Sequence, residues 1–480
     1  MTFNSLQYAL FLPVVVIGYW LLPRRVRQLW LLGASYVFYA FFDVRWALLL
    51  LFTTVVDYNV GKGLEDLGDR GDGAPHDGRT TRRRKQLLLL SVTVNLGVLG
   101  VFKYFDFFVA QVADGLSKVG LDATAPALRV LLPFGISFYT FQSIGYTVDV
   151  YRRQIRACRS PIDFATFVAY FPQLVAGPIS RAKNLLPQIE ADRSRPTSRA
   201  VVSGLLLFLL GLFKKVVIAD PLAAIVAKTF GGEPNQGTVA VVVGVVAFAL
   251  QIYADFSGYT DMARGTSRLL SVELVHNFDQ PYLSRDITEF WRRWHISLSS
   301  WLRDYLYIPL GGNRGSKART YRNLMVTMLL GGLWHGAGWN FVIWGGLHGV
   351  YLCIDRIRDA PRSRPDGVPL TREVPAILVT FALVCFAWIF FRAHTFADAM
   401  DVLRGLLRLD GTKPSGADIA IVTGALLAAL AIDLFQRSVR DPLRLALDHA
   451  VLTGTVAGIA LAGVILFSGG SATPFIYFQF

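Results

Sequence analysis

GTVAVVVGVVAFALQIYA, residues 237–254, carries no acidic or basic side chain. A helix needs about 20 mostly apolar residues to cross about 30 Å of hydrocarbon, and this run meets most of that demand. Four more charge-free stretches occupy residues 1–23, 86–102, 374–391 and 450–480. Only several membrane spans explain the pattern. The composition agrees, with 53% of the 480 residues hydrophobic and a mean hydropathy of +0.43, against a roughly 45–50% apolar share in soluble domains. The expected fold is all-α, a polytopic transmembrane helical bundle in a lipid bilayer.

The formal net charge of +14 matters less than where the Lys and Arg residues fall. They cluster at 24–27, 82–85, 152–159, 181–199, 285–322, 356–372 and 437–444. The positive-inside rule makes these loops cytoplasmic. The remaining connections, at 111–130, 230–237, 396–418 and the C-terminal tail, then face outward, with both termini extracytoplasmic. Charge that sets topology needs no nucleic acid to explain it. In the first apolar run the arginines (Arg24, Arg25, Arg27) follow the apolar residues, whereas a secretory signal carries its charges in front, so this segment reads as a retained span.

Reading between the basic clusters gives spans at 6–22, 29–42, 45–58, 87–109, 131–150, 201–228, 238–258, 323–354, 374–393, 419–435 and 450–468, about eleven in a single domain over 1–480. The 323–354 segment is long enough for a helical hairpin, or for a helix with a re-entrant piece. Residues 60–86, rich in Gly, Asp and Arg, read as a mobile cytoplasmic loop. No internal repeat is visible, which argues against a transporter built on inverted repeats. Cys158, Cys353 and Cys385 have neither metal-site nor disulfide spacing, and no metal site is expected.

Residues 255–322 are too polar to cross lipid and too aromatic for a solvated loop. Within DITEFWRRWHISLSSWLRDYLYIPLGG (286–312), Phe290, Trp294, Leu298 and Trp301 recur at spacings of three and four, which puts them on one helical face. Arg292, Arg293 and Arg303 add cations beside this band, as in a helix lying at the membrane interface, so 277–314 reads as an interfacial or re-entrant segment.

Seven histidines divide by context. His76, His276, His394 and His449 lie in polar connections or flank spans and read as solvated. His335 stands in LLGGLWHGAGWNFVIWGGLHG (329–349), inside a segment free of Asp, Glu, Lys and Arg from 323 to 353. An ionisable group at that depth faces a protein interior or a watery cavity and marks function. Glycines 331, 332, 336 and 338 leave room for a thin ligand or for another backbone, and Trp334 and Trp339 are placed to wall a tunnel. The competing reading is a histidine packed between helices. His295 follows two arginines, which favour a neutral ring; it either assists the chemistry or anchors its helix. His348 reads as packing. No G-x-S-x-G elbow, P-loop, H-E-x-x-H or Rossmann fingerprint occurs.

The order FNSLQYALFL (3–12), LPFGISFYTFQSIGYTVDVYR (132–152), FPQLVAGPISR (171–181), DFSGYTDMARG (255–265), NFDQPYLSRDITEFWRRWHISLSSWLRDYLYIPLGGNR (277–314), LLGGLWHGAGWNFVIWGGLHG (329–349) and the terminal PFIYFQF resembles the membrane-bound O-acyltransferases over nearly the whole chain. It is similar in particular to the branch holding the alginate O-acetyltransferase membrane subunit and the peptidoglycan O-acetyltransferase. The resemblance implies a catalytic role for His335 in the WHG motif and a second characteristic histidine at His295. It implies helices around a funnel that narrows at the catalytic ring, in a bacterial cytoplasmic membrane. It further implies no permanently bound cofactor, acetyl-CoA or another acyl-CoA as donor, and an acceptor hydroxyl on an exported or cell-wall polysaccharide. The acyl group would pass through a separate extracytoplasmic acetyltransferase or polysaccharide-assembly protein. The stretches 60–85 and 396–418 are the least alike.

On this reading His335 is a general base, and Trp334 and Asn340 orient the imidazole or the thioester carbonyl. Arg293 and Arg303, with Arg285, Arg292 and Arg314, meet the donor's phosphates, and Gln142 and Gln173 are further polar contacts at membrane depth. The alternatives are a lipid, protein or small-molecule hydroxyl as acceptor, or an acyl-CoA or anion transporter using the same arginines. The enzymatic reading expects His335 to line a lumen reachable from both sides of the bilayer.

Overall fold

The computed structural model describes residues 1–69, 78–121, 132–175, 177–233, 235–358, 370–438, 447–468 and 473–478. Among them helices are the only extended regular elements, with one isolated bridge between Gln236 and Thr412. Seven helices are long and apolar enough to cross a membrane: Val44–Gly68, Gly78–Lys118, Ser198–Phe230, Thr238–Leu269, Arg372–Arg392, Gly416–Arg437 and Ala450–Phe467. The chain is a polytopic helical membrane protein. The eleven expected spans are not all matched by such helices. Leu6–Leu21 has 16 residues, and so has Ile136–Tyr151, most of whose side chains are buried in protein. An apolar run does not distinguish a helix facing lipid from one enclosed by its neighbours.

The contacts divide the chain into two compact units. The first comprises Met1–Gly204 and Ala263–Val275. Its N-terminal helix starts where the Ser5 side chain accepts the Tyr8 N–H at 3.2 Å. Phe3, Tyr8, Phe38 and Phe171 form an aromatic cluster beside it. Tyr8 and Thr266 share a 2.8 Å hydroxyl bond, and Trp20 donates to the Leu269 carbonyl at 2.9 Å. The buried Asp57 carboxylate accepts from Ser91 at 2.6 Å and from Asn95 at 2.9 and 3.0 Å. The segment 60–86, read as a mobile loop, is helical over 60–69 and 78–86, because Val44–Asp69 and Gly78–Leu99 continue through their polar ends. Residues 70–77, with His76, lie outside the described residues.

The second unit comprises Leu205–Met262 and His276–Phe480. Thr238–Leu269 is 32 residues long, well past the expected boundary at 258. Its polar end stays helical because the charges are buried and paired. Asp255 lies 3.0 Å from Lys215, and Asp261 lies 2.7 Å from Lys214. Lys215 also pairs with Asp220 at 2.9 Å. Both lysines sit in a π-helical turn, Lys214–Ala219, a local widening often found at functional positions. Removing one partner of a buried pair leaves an uncompensated charge and costs about 3–5 kcal/mol.

The 286–312 stretch, read as one helical face, is two short α-helices, Ile287–Arg293 and Ile296–Leu302, followed by a π-helical turn, Arg303–Tyr307. The break is at His295, whose φ of +41° is left-handed. Phe290, Trp294, Leu298 and Trp301 are nevertheless all buried.

Candidate active site

His335 is the last residue of Lys317–His335, a helix whose Ser316 cap accepts the Arg319 N–H. Gly336 and Gly338 follow in extended backbone, and Trp339–Ile357 returns alongside. Gly332 abuts Phe341 and Gly345, Gly345 abuts Met328, and Gly349 abuts Met325, so the two helices form an antiparallel hairpin. A side chain on Gly332 or Gly345 would run into the opposite backbone, and one on Gly336 would run into the Phe341 ring. These glycines admit a neighbouring backbone and ring, the second of the two uses open to them in the sequence.

The His335 side chain is enclosed by rings. Its centroid lies 4.9 Å from Trp334, 5.0 Å from Trp344, 5.2 Å from Phe391 and 5.7 Å from Tyr477. Only 5% of the residue is exposed. Trp339, expected as a tunnel wall, is instead 58% exposed, because the turn through Gly338 sends it outward at the start of the returning helix.

His295 joins the same cluster from the break between the short helices. A left-handed non-glycine residue costs roughly 1–2 kcal/mol, so something must hold it. Asn277 does so: its carbonyl accepts the Ile296 N–H at 2.9 Å, and its side chain accepts the Ser297 N–H at 3.1 Å. The His295 ring is 4.7 Å from Phe256, 6.1 Å from Trp334 and 6.5 Å from Tyr477. Burial pushes its imidazole down to about 3, so the ring is neutral at physiological pH. Trp334 and Tyr477 thus touch both histidines.

Tyr477 belongs to the C-terminal turn Ile476–Phe478, which the buried charges tether. The Ile476 N–H donates to Asp255 at 2.8 Å, Lys215 donates to Thr473 at 3.3 Å, and the Thr473 hydroxyl bonds Asp220. Sequence reasoning recorded the tail motif but not this tyrosine. The available signal was Lys214, Lys215 and Asp220 inside an otherwise apolar span, where charges mark function or a buried anchor. His348 is the third member: Trp291 donates to its Nδ1 at 3.2 Å, and Trp344 lies 4.9 Å from its ring and 5.0 Å from that of His335. The bond to Nδ1 leaves the proton on Nε2.

The other residues read from the sequence lie elsewhere or are otherwise engaged. The Asn340 amide donates to the Ala393 carbonyl at 2.9 Å, tying the hairpin to the Leu370–Arg392 helix end. Arg293 pairs with Glu289 at 2.8 Å, and Arg285 bridges Glu289 at 2.9 Å and Glu373 at 3.4 Å. Arg303 pairs with Asp304 at 2.6 Å on an exposed face. Gln142 and Gln173 are in the first unit, where both amides donate to the Phe167 carbonyl, at 2.8 and 3.0 Å. A cavity of about 330 Å³ in the first unit is lined by Arg84 and Arg153, and neither His335 nor His295 belongs to its wall.

The model of the MBOAT, membrane-bound O-acyltransferase family, matches residues 31–360, a span that includes His295, His335 and His348 and stops short of Tyr477. The chain is 42% identical over 433 residues to the probable alginate O-acetylase of Pseudomonas aeruginosa, covering 90% of this chain and 80% of that protein. It is 39% identical over 519 residues to the probable alginate O-acetylase of Azotobacter vinelandii, with both chains covered in full. It is 36% identical over 434 residues to the peptidoglycan O-acetyltransferase of Helicobacter pylori, covering 84% of this chain and 79% of that one.

Proposed function

This chain belongs to the membrane-bound O-acyltransferase family, and from that premise we propose that it moves an acetyl group from cytoplasmic acetyl-CoA toward hydroxyls of an exported or cell-wall polysaccharide. It is an O-acyltransferase and a multi-pass bacterial membrane protein. The proposal extends this to the donor, the acceptor, the cytoplasmic membrane with both termini outside, and an extracytoplasmic acetyltransferase that receives the acetyl group. The relatives' names, alginate and peptidoglycan O-acetyl transfer, support a glycan acceptor.

His335 is the general base. It takes the proton from the attacking hydroxyl, the oxygen bonds to the thioester carbonyl carbon, the carbon–sulfur bond breaks, and the CoA sulfur leaves with a proton. Such catalysis is typically worth about 10² to 10⁴ in rate. His295, fixed by Asn277 and sharing Trp334 and Tyr477 with His335, holds the wall of the site and presents a second neutral imidazole. The observation that carries the reading is this pairing, two histidines brought into one aromatic shell from segments 40 positions apart in the sequence.

The test is purified protein in proteoliposomes supplied with radiolabelled acetyl-CoA, a polysaccharide acceptor and the extracytoplasmic partner. His335→Ala is expected to stay folded and to lose at least about 10² in CoA release and label transfer. Undiminished transfer by that variant refutes the assignment. Passage of intact acetyl-CoA across the bilayer without thioester cleavage replaces the enzyme by a transporter.

A further inference from the structure

Away from the histidines, the first unit holds a cavity of about 330 Å³ where Val44–Asp69, Gly78–Leu99 and Ile136–Tyr151 come together. Its wall carries three guanidiniums, Arg84, Arg153 and Arg156, and one carboxylate, Glu65. Glu65 accepts the Ala157 N–H at 3.0 Å and offsets part of the Arg84 charge. All three arginines come from the basic clusters that the positive-inside rule assigns to the cytoplasmic side.

The arginines are held in place. Arg84 is only 6% exposed, and its guanidinium donates to the Tyr151 carbonyl at 2.8 Å. Arg153 has a φ of +59° just past the end of Ile136–Tyr151, where its N–H bonds the Val150 carbonyl and the Gln154 N–H bonds that of Asp149. Glycine is the usual occupant of such a left-handed helix end, and a side chain there is strained. Gly68 supplies the space on the facing helix: a Cβ on it would come 2.6 Å from Arg84 Nη1 and 4.0 Å from Arg153 Nε. Two like charges are thereby gathered around one spot, one of them in a backbone conformation that an arginine ordinarily avoids. An anion is what such an arrangement accommodates. Guanidinium forks match phosphate oxygens, and basic pockets between membrane helices on the cytoplasmic side take anionic headgroups. The volume is at the low end for small-molecule sites, enough for a phosphate ester.

We propose that this cavity binds a phosphate-bearing anion, supplied either by the headgroup of an anionic phospholipid or by a soluble organophosphate.

The test measures thermal unfolding of the full chain in neutral detergent during titration with dioctanoyl phosphatidylglycerol, with sn-glycerol 3-phosphate, and with dioctanoyl phosphatidylcholine as control. The first is expected to raise Tm saturably and the control not to. A matching rise with glycerol phosphate identifies the phosphate ester as the recognised group; a rise with the lipid alone shows that the acyl chains are needed too. Arg153→Gly is the informative variant, because glycine suits the left-handed position. It is expected to keep or raise the ligand-free Tm while weakening the ligand at least about tenfold, the worth of one charged hydrogen-bonded contact. Arg156→Gln is expected to weaken it similarly without loss of fold. The proposal is overturned if neither phosphate probe shifts the wild type, if phosphatidylcholine shifts it equally, or if both variants bind as the wild type does.

Discussion

Gly345→Ala tests whether the hairpin behind His335 sets the position of the imidazole. The new Cβ would lie 3.0 Å from the Met328 carbonyl carbon and 3.2 Å from Gly332 Cα, and closer still to the Met328 oxygen, whereas ordinary contact begins at 3.4 Å. Its neighbours are backbone atoms, so no rotamer change relieves the overlap and the two helices must part. The carbonyl oxygen raises the displacement toward about 1 Å, a scale at which a misplaced group can lose about 10² in rate. Overpacking of this kind also costs about 1–3 kcal/mol, which a folded protein tolerates. The control is the next residue. A Cβ on Gly346 meets only Leu329 Cδ2, at 3.6 Å. Gly345→Ala is therefore expected to purify as a monodisperse protein with a lowered Tm and roughly hundredfold slower acetyl transfer in proteoliposomes, and Gly346→Ala to match the wild type in both. Equal activity and equal Tm for the two variants would refute the claim that this backbone contact positions His335.

The tail should depend on its ionic anchor. Lys215→Met leaves the buried Asp255 and the part-buried Asp220 without their cation and is expected to destabilise the protein by about 3–5 kcal/mol, read as a fall in Tm. Tyr477→Phe keeps the ring between the histidines and Tyr477→Ala removes it, so a packing role predicts near-normal transfer for Phe and a large loss for Ala; equal loss in both assigns the function to the hydroxyl. Burial opposes ionisation of Glu289, but the Arg285 backbone N–H and the guanidiniums of Arg285 and Arg293 outweigh it and hold the carboxyl below its usual 4.5. A lowered folded-state value contributes stability that is complete above about 4.5 and drains as the pH falls further. Tm measured from pH 6 to 3 should show that acid limb in the wild type and a flatter one in Glu289→Gln.

Much of this fold could be read from charge spacing alone, because a charge-free run such as 374–391 has few alternatives to a membrane helix. Charges defeated the reading where a distant partner neutralises them. Asp255 and Asp261 looked like the start of a polar segment, yet Lys215 and Lys214 bury them within a helix that continues to Leu269. The enclosure of His335 within protein was legible because an ionisable group in an apolar segment is costly unless it faces a protein interior or a cavity. The left-handed break at His295 was not, since it is imposed by Asn277, 20 residues before Ser297. Tyr477 was missed for a similar reason: it reaches the histidines only through the tether of Ile476 and Thr473 to the buried charges, a long-range relation that periodicity does not carry. A cluster in sequence specified the sign of the charge but not its partners, and Glu289, Glu373 and Asp304 engage Arg285, Arg293 and Arg303.

A site lined by Trp334, Trp344, Phe391 and Tyr477 bears on the chemistry proposed for it. A thioester beside a general base is as exposed to water as to a sugar hydroxyl, and bulk water is near 55 M, so transfer needs exclusion more than it needs an open channel. Rings supply that exclusion while leaving a base that nearby charge does not disable, since the buried ion pairs of this unit, Lys214 with Asp261 and Lys215 with Asp255, are compensated. Three sides of the shell come from long helices, but the fourth, Tyr477, comes from a short turn held chiefly by Asp255, Asp220 and Lys215. That wall alone depends on the buried ion pairs for its position. On the proposed mechanism, loosening the tether with Asp255→Asn should raise acetyl-CoA hydrolysis relative to transfer, and an unchanged ratio of the two would show that the tail is not what keeps water out.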